Sequence, residues 1–370
     1  MQPLVLHEYH LSLGAQFTEL GGCEAVDQYG DWLEEYAALR ECVGVLDLSF
    51  CSRICLTGAD RVRFLHGQVT NDVNRLRPGQ GCYAALITAK GRMQSDLNIF
   101  CLQDELLLDF EPGLTQTVST RLEKYVIADD VQVVDVAPHY GLLSVQGPQA
   151  EALIQDLGIV PNMPVEQLSF VKVKDPGLGE SYLMNNPRLA SRGFDLFVPT
   201  ELLGAAAVKL CSAARSAGGR ACGWQAFEVA RIEAGIPRFG LDMDETNLPL
   251  EAGLESRAIS FSKGCYIGQE VISRIRTYSQ VAKALRGLRL ADHLRHLPKK
   301  GDKLFQAGKE AGYITSAAFS PALKANLALG YVRKESNEPG TELTLRTDSE
   351  EIPVQIAPLP FTASSTQRGN

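Results

Sequence analysis

Two periods of apolar spacing run through the first 160 residues. In "WLEEYAALRECV", from Trp32 to Val43, the positions Leu33, Tyr36, Ala37, Arg40 and Cys42 fall on a mixed helical period, and "GVLDLSF" then reads as a strand. A second helix is predicted in "GADRVRFLHGQV", with Asp60 as its N-cap and Val62, Phe64, Leu65 and Val69 as its apolar positions. "GCYAALITAKGRMQSDLNIFCLQDELLLDF" predicts three short strands, turned at Ala89-Lys90-Gly91 and at Gln103-Asp104. "TQTVSTRLEKYVIADDVQVVDVA" is a helix running into a strand, and "GLLSVQGPQAEALIQDLG" a strand, a Gly-Pro turn and a helix. From Ala282 to Pro360 the pattern changes to six short strands, "LRGLRL", "KLFQ", "YITSAAF", "LALGYV", "ELTLR" and "PVQIAPL", parted by Gly, Pro and charged turns. That spacing predicts a small separate β-barrel or sandwich. The fold class is therefore α+β, not a doubly wound parallel sheet, with a tail, "TASSTQRGN", expected to fray.

Composition narrows the function classes. With 370 residues, 45% hydrophobic and 22% charged, the chain fits two or three folded domains. A formal charge of −8 and the lack of a long Lys/Arg run argue against a protein that grips nucleic acid through its phosphates. Nine cysteines at irregular spacings fit a reducing cytosol better than a secreted disulfide framework. The start, "MQPLVLHEYHLSLGAQF", has neither a basic n-region nor a sustained apolar core, and no apolar run approaches the roughly 18 to 20 residues of a membrane span. A cytoplasmic protein without membrane contact is expected.

Metal binding is tested by Cys51 and Cys55 (CxxxC) and by the two HxxH pairs, His7/His10 and His293/His296. None has a second ligand pair at a zinc-like spacing, and no cysteine run suits an iron–sulfur cluster. Cys51 and Cys55 are expected to pack in a strand, and His293 and His296 to be solvated, so no resident metal is expected. No GxxxxGK[ST], strand-borne GxGxxG or GxSxG occurs, which removes support for nucleotide hydrolysis and serine-hydrolase chemistry.

Three segments remain. "SRGFDLFVPTE" is a strand with Asp195 at its centre, an acid that alternation alone would turn to solvent. "ARIEAGIPRFGLDMDETNLPLEAGL" is a helix end followed by a long ordered loop. "FSKGCYIGQEVISR", Phe261 to Arg274, sets Lys263, Cys265 and Gln269-Glu270 among two glycines.

Taken in order, "LHEYHLSLGAQF", "GVLDLS", "FLHGQVTNDV", "GRMQSDLNIF", "SRGFDLFVP" and "RIEAGIPRFG" resemble the folate-binding family that holds the glycine cleavage T-protein (GcvT) and the YgfZ proteins. "KGCYIGQE" is similar to the YgfZ pattern K-G-C-[FY]-x-G-Q-E, whereas T-proteins carry a segment ending FIGRE or similar. The resemblance implies three domains in a ring around a central channel with tetrahydrofolate in the middle. Their expected bounds are 1–50 with 138–280 for a discontinuous folate-binding domain, 51–137 for an inserted α+β domain, 281–362 for the C-terminal barrel, and 363–370 for a flexible tail. It further implies an accessory protein supporting iron–sulfur enzymes, in the context of cluster assembly, repair or tRNA methylthiolation, with those enzymes or assembly proteins as partners. The alternative is a tetrahydrofolate-dependent aminomethyltransferase or other one-carbon transferase.

By the same resemblance, Asp195 stands where the family reads the pterin edge, one methylene shorter than the Glu of many relatives. Its apolar neighbours Phe194, Leu196, Phe197 and Val198 would form the dry wall of that site. Arg231 aligns with a folate-site arginine able to balance Asp195 or meet a pterin carbonyl. Asp96 matches the acid that lies near the folate nitrogens in T-proteins, where it would stabilise developing positive charge. The T-protein Asp-Asp pair is here Ser95-Asp96, a departure that weakens the transferase reading. Asn71, in "TNDV", matches a shared family segment and is a further folate-site candidate, with a cap and turn role as the equal alternative. Gly264 and Gly268 are expected to bring Lys263, Cys265 and Gln269-Glu270 to one surface, with Lys263 lowering the thiol pKa. Cys265 is then either a reactive thiol or a packing residue in a tight turn.

Overall fold

The computed structural model describes residues 1–278, 281–294, 296–347 and 350–361. The expected tail, 363–370, lies outside the described residues. The chain forms two compact units. The first comprises Met1–Leu86, Ser95–Phe227 and Ala258–Ile267; the second comprises Ile87–Gln94, Glu228–Arg257 and the chain from Gly268 onward.

The first unit holds two sheets. One has five strands in the order Gln80–Ile87, Met93–Cys101, Leu106–Phe110, Ser52–Thr57, Gln132–Asp135. Its apolar side chains, among them Ile54, Leu56, Leu97, Ile99, Leu106 and Leu108, form a core with Phe64 and Leu65 of helix Arg61–Gln68 and with Val118 and Leu122 of helix Thr115–Glu123. Alternation along the strands puts Arg53, Tyr83, Asp96, Asn98 and Asp109 on the opposite, helix-free face. The first of these helices departs from expectation at its start. Asp60 makes no side-chain cap there; its carboxylate accepts instead from the backbone N–H of Asp130 at 2.9 Å, tying down the loop before the edge strand.

The second sheet has six strands, in the order Phe170–Lys172, Tyr182–Asn185, Gly193–Pro199, Tyr140–Gln146, Gly44–Asp47, Arg220–Ala221. All its recorded pairings are antiparallel except the last, which is parallel. Val45, Val145, Phe194, Leu196 and Val198 pack under helices Ala150–Leu157 and Leu203–Ser216. Ser144, Gln146, Asp195 and Phe197 therefore share the other face. The helix-free faces of the two sheets meet within this unit, where Phe100 of the first touches Phe197 of the second edge-on with centroids 6.0 Å apart. The mixed α+β expectation holds, and the polar side chains on these faces lie between layers rather than in water.

The second unit is built around a closed six-stranded barrel, Lys283–Leu290, Lys303–Gln306, Lys309–Ser320, Ala325–Arg333, Glu342–Arg346 and Glu351–Ala357. These are the six strands that the turn spacing predicts. Leu288, Leu304, Ile314, Val332, Leu345 and Ile356 fill its interior. No helix among the described residues is long and apolar enough to cross a membrane.

Candidate functional site

Asp96 lies on strand Met93–Cys101, on the helix-free face, and its Oδ2 accepts from the Tyr83 hydroxyl at 2.7 Å. Ser95 faces the other way, fully buried on the side of Leu97 and Ile99, with its hydroxyl donating to the Asp96 carbonyl at 3.0 Å. The missing first acid of the Asp-Asp pair is thus a feature of the core side of the strand. The face that carries Asp96 is unchanged by it.

Asn71 joins the same network. Its amide donates to the Tyr83 carbonyl at 2.9 Å, and its side-chain oxygen accepts from the backbone N–H of Asp72 at 2.8 Å. Lys263 is next. Its ammonium is buried and donates to the carbonyls of His66 at 2.5 Å, Val69 at 2.7 Å and Asn71 at 2.9 Å, while lying 4.7 Å from the Tyr266 ring. Three carbonyls use all three N–H groups of an ammonium. Burial pulls the Lys263 pKa down to about 8, against the opposing pull of Asp72 and Cys82. Burial, with the Lys263 charge behind it, likewise holds His66 below its usual range. Backbone bonds from Ser260 N–H to the Thr70 carbonyl at 3.0 Å and from Ile267 N–H to the Gly67 carbonyl at 3.1 Å lace the "SKGCYI" segment to the same turn.

The expectation of one shared surface for this segment is corrected here. Lys263 is buried under backbone carbonyls, whereas Cys265 and Glu270 are exposed, with Glu270 paired to Arg274 one helical turn on. Of the two glycines, only Gly268 needs its freedom: its φ is +85°, and a Cβ there would stand 2.5 Å from the Thr88 carbonyl oxygen. Gly264 has no such φ, and a Cβ on it would meet nothing nearer than His66 Nε2 at 3.6 Å.

Asp195 is fully buried. Its Oδ1 accepts from Ser144 at 2.7 Å, and its Oδ2 accepts from Asn186 at 2.7 Å and from Arg188 Nε at 2.9 Å. Arg188 Nη2 reaches both Asp195 and Asp109 at 2.8 Å. Burial raises the Asp195 pKa, and the Arg188 charge works against that rise. For Arg188, burial alone would lower the pKa, but Asp195 and Asp109 outweigh it and hold the guanidinium well above its ordinary value. The expected dry wall of Phe194, Leu196 and Val198 lies on the far side of the sheet, under the helices; only Phe197 shares the face of Asp195.

One polar row connects the two clusters. Asn98 sits two residues beyond Asp96, roughly 7 Å along the same face. It pairs in register with Asp109 and donates to its Oδ2 at 3.3 Å. Arg53, also opposite Asp109 in register, is fully buried; its Nε and Nη1 and the Asp109 Oδ1 are buried without a hydrogen-bond partner. The motifs in the sequence do not single out Tyr83, Asn98, Asp109, Arg53 or Arg188. Polar residues recurring at every second position of several neighbouring strands were the available signal.

Arg231 belongs to the other unit. It is buried, with its guanidinium on Asp242 at 2.5 Å, on Glu228 and on the Ile236 carbonyl at 3.1 Å. Its charge is balanced by these acids rather than by Asp195. The first two histidines are spoken for as well: His7 pairs with Glu24 at 2.8 Å, and His10 bridges Asp47 at 2.8 Å and Tyr29 at 2.7 Å. His293 and His296 are exposed, and among the described residues no three His, Cys, Asp or Glu side chains are grouped to hold a metal ion.

The profile of the GCVT N-terminal domain matches residues 6–263, more than half of the chain. The protein belongs to the GCVT family. A second profile, the glycine cleavage T-protein C-terminal barrel domain, matches residues 283–362. Among GCVT relatives, an aminomethyltransferase of Symbiobacterium thermophilum is 30% identical over 98% of both chains. One of Geobacillus thermodenitrificans is 30% identical over 94% of both. The crystal structure of glycine cleavage system aminomethyltransferase T from Bartonella henselae matches with a TM-score of 0.87 and 25% identity, over 97% of this chain and 98% of that one. These relatives overturn the accessory role drawn from "KGCYIGQE". Full-length GCVT relatives are named as transferases, and nothing among them supports a YgfZ type, iron–sulfur partners or tRNA modification.

Proposed function

We propose that the protein is an aminomethyltransferase that uses tetrahydrofolate as the acceptor of the one-carbon unit. The observation that carries this reading is the placement of Asp96: an acid held by the Tyr83 hydroxyl, on a helix-free sheet face, in a chain similar over nearly its whole length to proteins named aminomethyltransferase. The donor set suits a pterin, which offers both N–H groups and a carbonyl. Acids and guanidinium groups stand on one polar row, of which Asp96 and Arg188 keep part of their surface exposed.

Tetrahydrofolate supplies the ring nitrogen that takes the carbon. Asp96 sets a fixed negative charge beside the carbon in transit and lowers the cost of the positive charge that builds there. The Tyr83 hydroxyl fixes which carboxylate oxygen faces the reaction. Asn71 acts as a positioning residue through the Tyr83 backbone, and Lys263 positions Asn71 by clamping the carbonyls of the turn from His66 to Asn71.

The test is formation of methylenetetrahydrofolate and ammonia from an aminomethylated carrier. Asp96→Asn should lower kcat by about a hundredfold or more, the scale on which removing one stabilising electrostatic group acts, while tetrahydrofolate affinity stays within a few-fold. No turnover by the wild-type protein with a competent carrier would remove the proposal.

A further inference from the structure

We propose that Arg188, not Asp195, is the side chain that meets the pterin, donating from Nη1 to its carbonyl oxygen, with Asp195 and Asp109 as the residues that position it. This rests on tetrahydrofolate being the acceptor.

Asp195 is closed to a ligand. It has no exposed surface, and Ser144, Asn186 and Arg188 already donate to its two oxygens. A bidentate grip on a pterin edge would require breaking at least two of these bonds in a buried site, each costly to leave unmade. Asp109 is as deeply buried. Arg188 is the member of this ion-pair cluster that reaches the surface, with 17% of its side chain exposed against 1% and 0% for the two acids. Its Nε and Nη2 are taken, and Nη1 makes no hydrogen bond among the described residues.

The partner's chemistry follows from that one nitrogen. A guanidinium only donates, so it must meet an acceptor. Asp109 and Asp195 balance the charges of Arg188 and Arg53, leaving no excess positive charge to draw in an anion. A neutral carbonyl therefore suits Nη1 better than a carboxylate of the glutamyl tail. Two acids also hold the planar fork in place before binding, so little freedom is lost when the ligand arrives.

Calorimetry on the full-length protein tests this with three ligands: tetrahydrofolate, tetrahydroaminopterin, in which an amino group replaces the ring carbonyl, and tetrahydropteroate, which lacks the glutamate. The wild type should bind tetrahydroaminopterin at least about tenfold more weakly than tetrahydrofolate, because donor would face donor. Tetrahydropteroate should bind within about threefold. In Arg188→Lys, checked for folding by its thermal melt, the carbonyl preference should shrink below about threefold. Equal wild-type affinity for the carbonyl and amino ligands overturns the inference while leaving the acceptor reading intact, and needs no variant. A large loss confined to tetrahydropteroate overturns it in favour of the tail carboxylate. Failure of the wild type to bind tetrahydrofolate at all removes both the inference and the reading beneath it.

Discussion

Asp195 shows how a single residue can be read correctly as special and wrongly as accessible. Alternation along "GFDLFVP" separates the acid from Phe194 and Leu196, but it cannot tell a face turned to water from one covered by a second sheet. The residues that satisfy the acid come from elsewhere: Ser144 on a neighbouring strand and Arg188 in the turn before its own, itself held by Asp109, 79 positions away. Asp195→Ala should therefore cost stability, about 3 to 5 kcal/mol, since it leaves the buried Ser144 and Asn186 donors without their acceptor and Arg188 beside one acid instead of two. Urea unfolding reads this directly, and a loss below about 1 kcal/mol would contradict it. Lys263 gives a prediction of pH dependence. Its pKa in the folded chain, about 8, lies below the ordinary lysine value. Between the two, the unfolded chain binds a proton that the folded chain does not, so this residue's contribution to stability grows as pH rises and is lost as pH falls through about 8. Comparing Lys263→Met with wild type at pH 7.5, 9 and 10 should show that rise, at most about 1.4 kcal/mol per pH unit, missing from the variant. Parallel pH profiles would mean that the lysine keeps its ordinary affinity for protons.

Elements were more legible than residues. The barrel strands were readable because closely spaced Gly, Pro and charged turns mark each end, and the three strands around Ala89-Lys90-Gly91 were readable for the same reason. Asp60 misled because an Asp before a helix is a cap by composition alone, whereas here the strand-side loop at Asp130 competes for it and wins. "KGCYIGQE" misleads differently: eight residues point to one branch of the family, whereas the likeness to proteins named aminomethyltransferase runs nearly the length of the chain. Within that segment the two glycines are unequal. Gly268→Ala forces a positive φ on a residue with a Cβ and drives that atom to 2.5 Å from the Thr88 carbonyl oxygen. About 1 to 3 kcal/mol should be lost from the strain alone. Gly264→Ala, with open space and no positive φ, should change stability by less than about 0.5 kcal/mol. Equal unfolding midpoints for the two variants would show that the backbone at Gly268 relaxes.

At the scale of the molecule, the family and the class of fold could be read from the order of the segments, because a shared core constrains many positions weakly. The division into two units could not, since the short stretches Ile87–Gln94 and Ala258–Ile267 each leave the unit of their sequence neighbours. The two-sided sheets of the first unit have a consequence for how the gene tolerates change. Along Met93–Cys101, Ser95, Leu97 and Ile99 serve the core and Asp96 and Asn98 the polar row. Suppose every position of this strand is varied and the library is sorted twice, once for the amount of protein in the cell and once for transfer activity per molecule. Substitutions at 95, 97 and 99 should vanish in the first sort, whereas those at 96 and 98 should survive it and drop out in the second. Loss without regard to parity would show that both faces do the same work; a sawtooth with opposite phase in the two sorts would let fitness data alone report which side of a strand faces the chemistry.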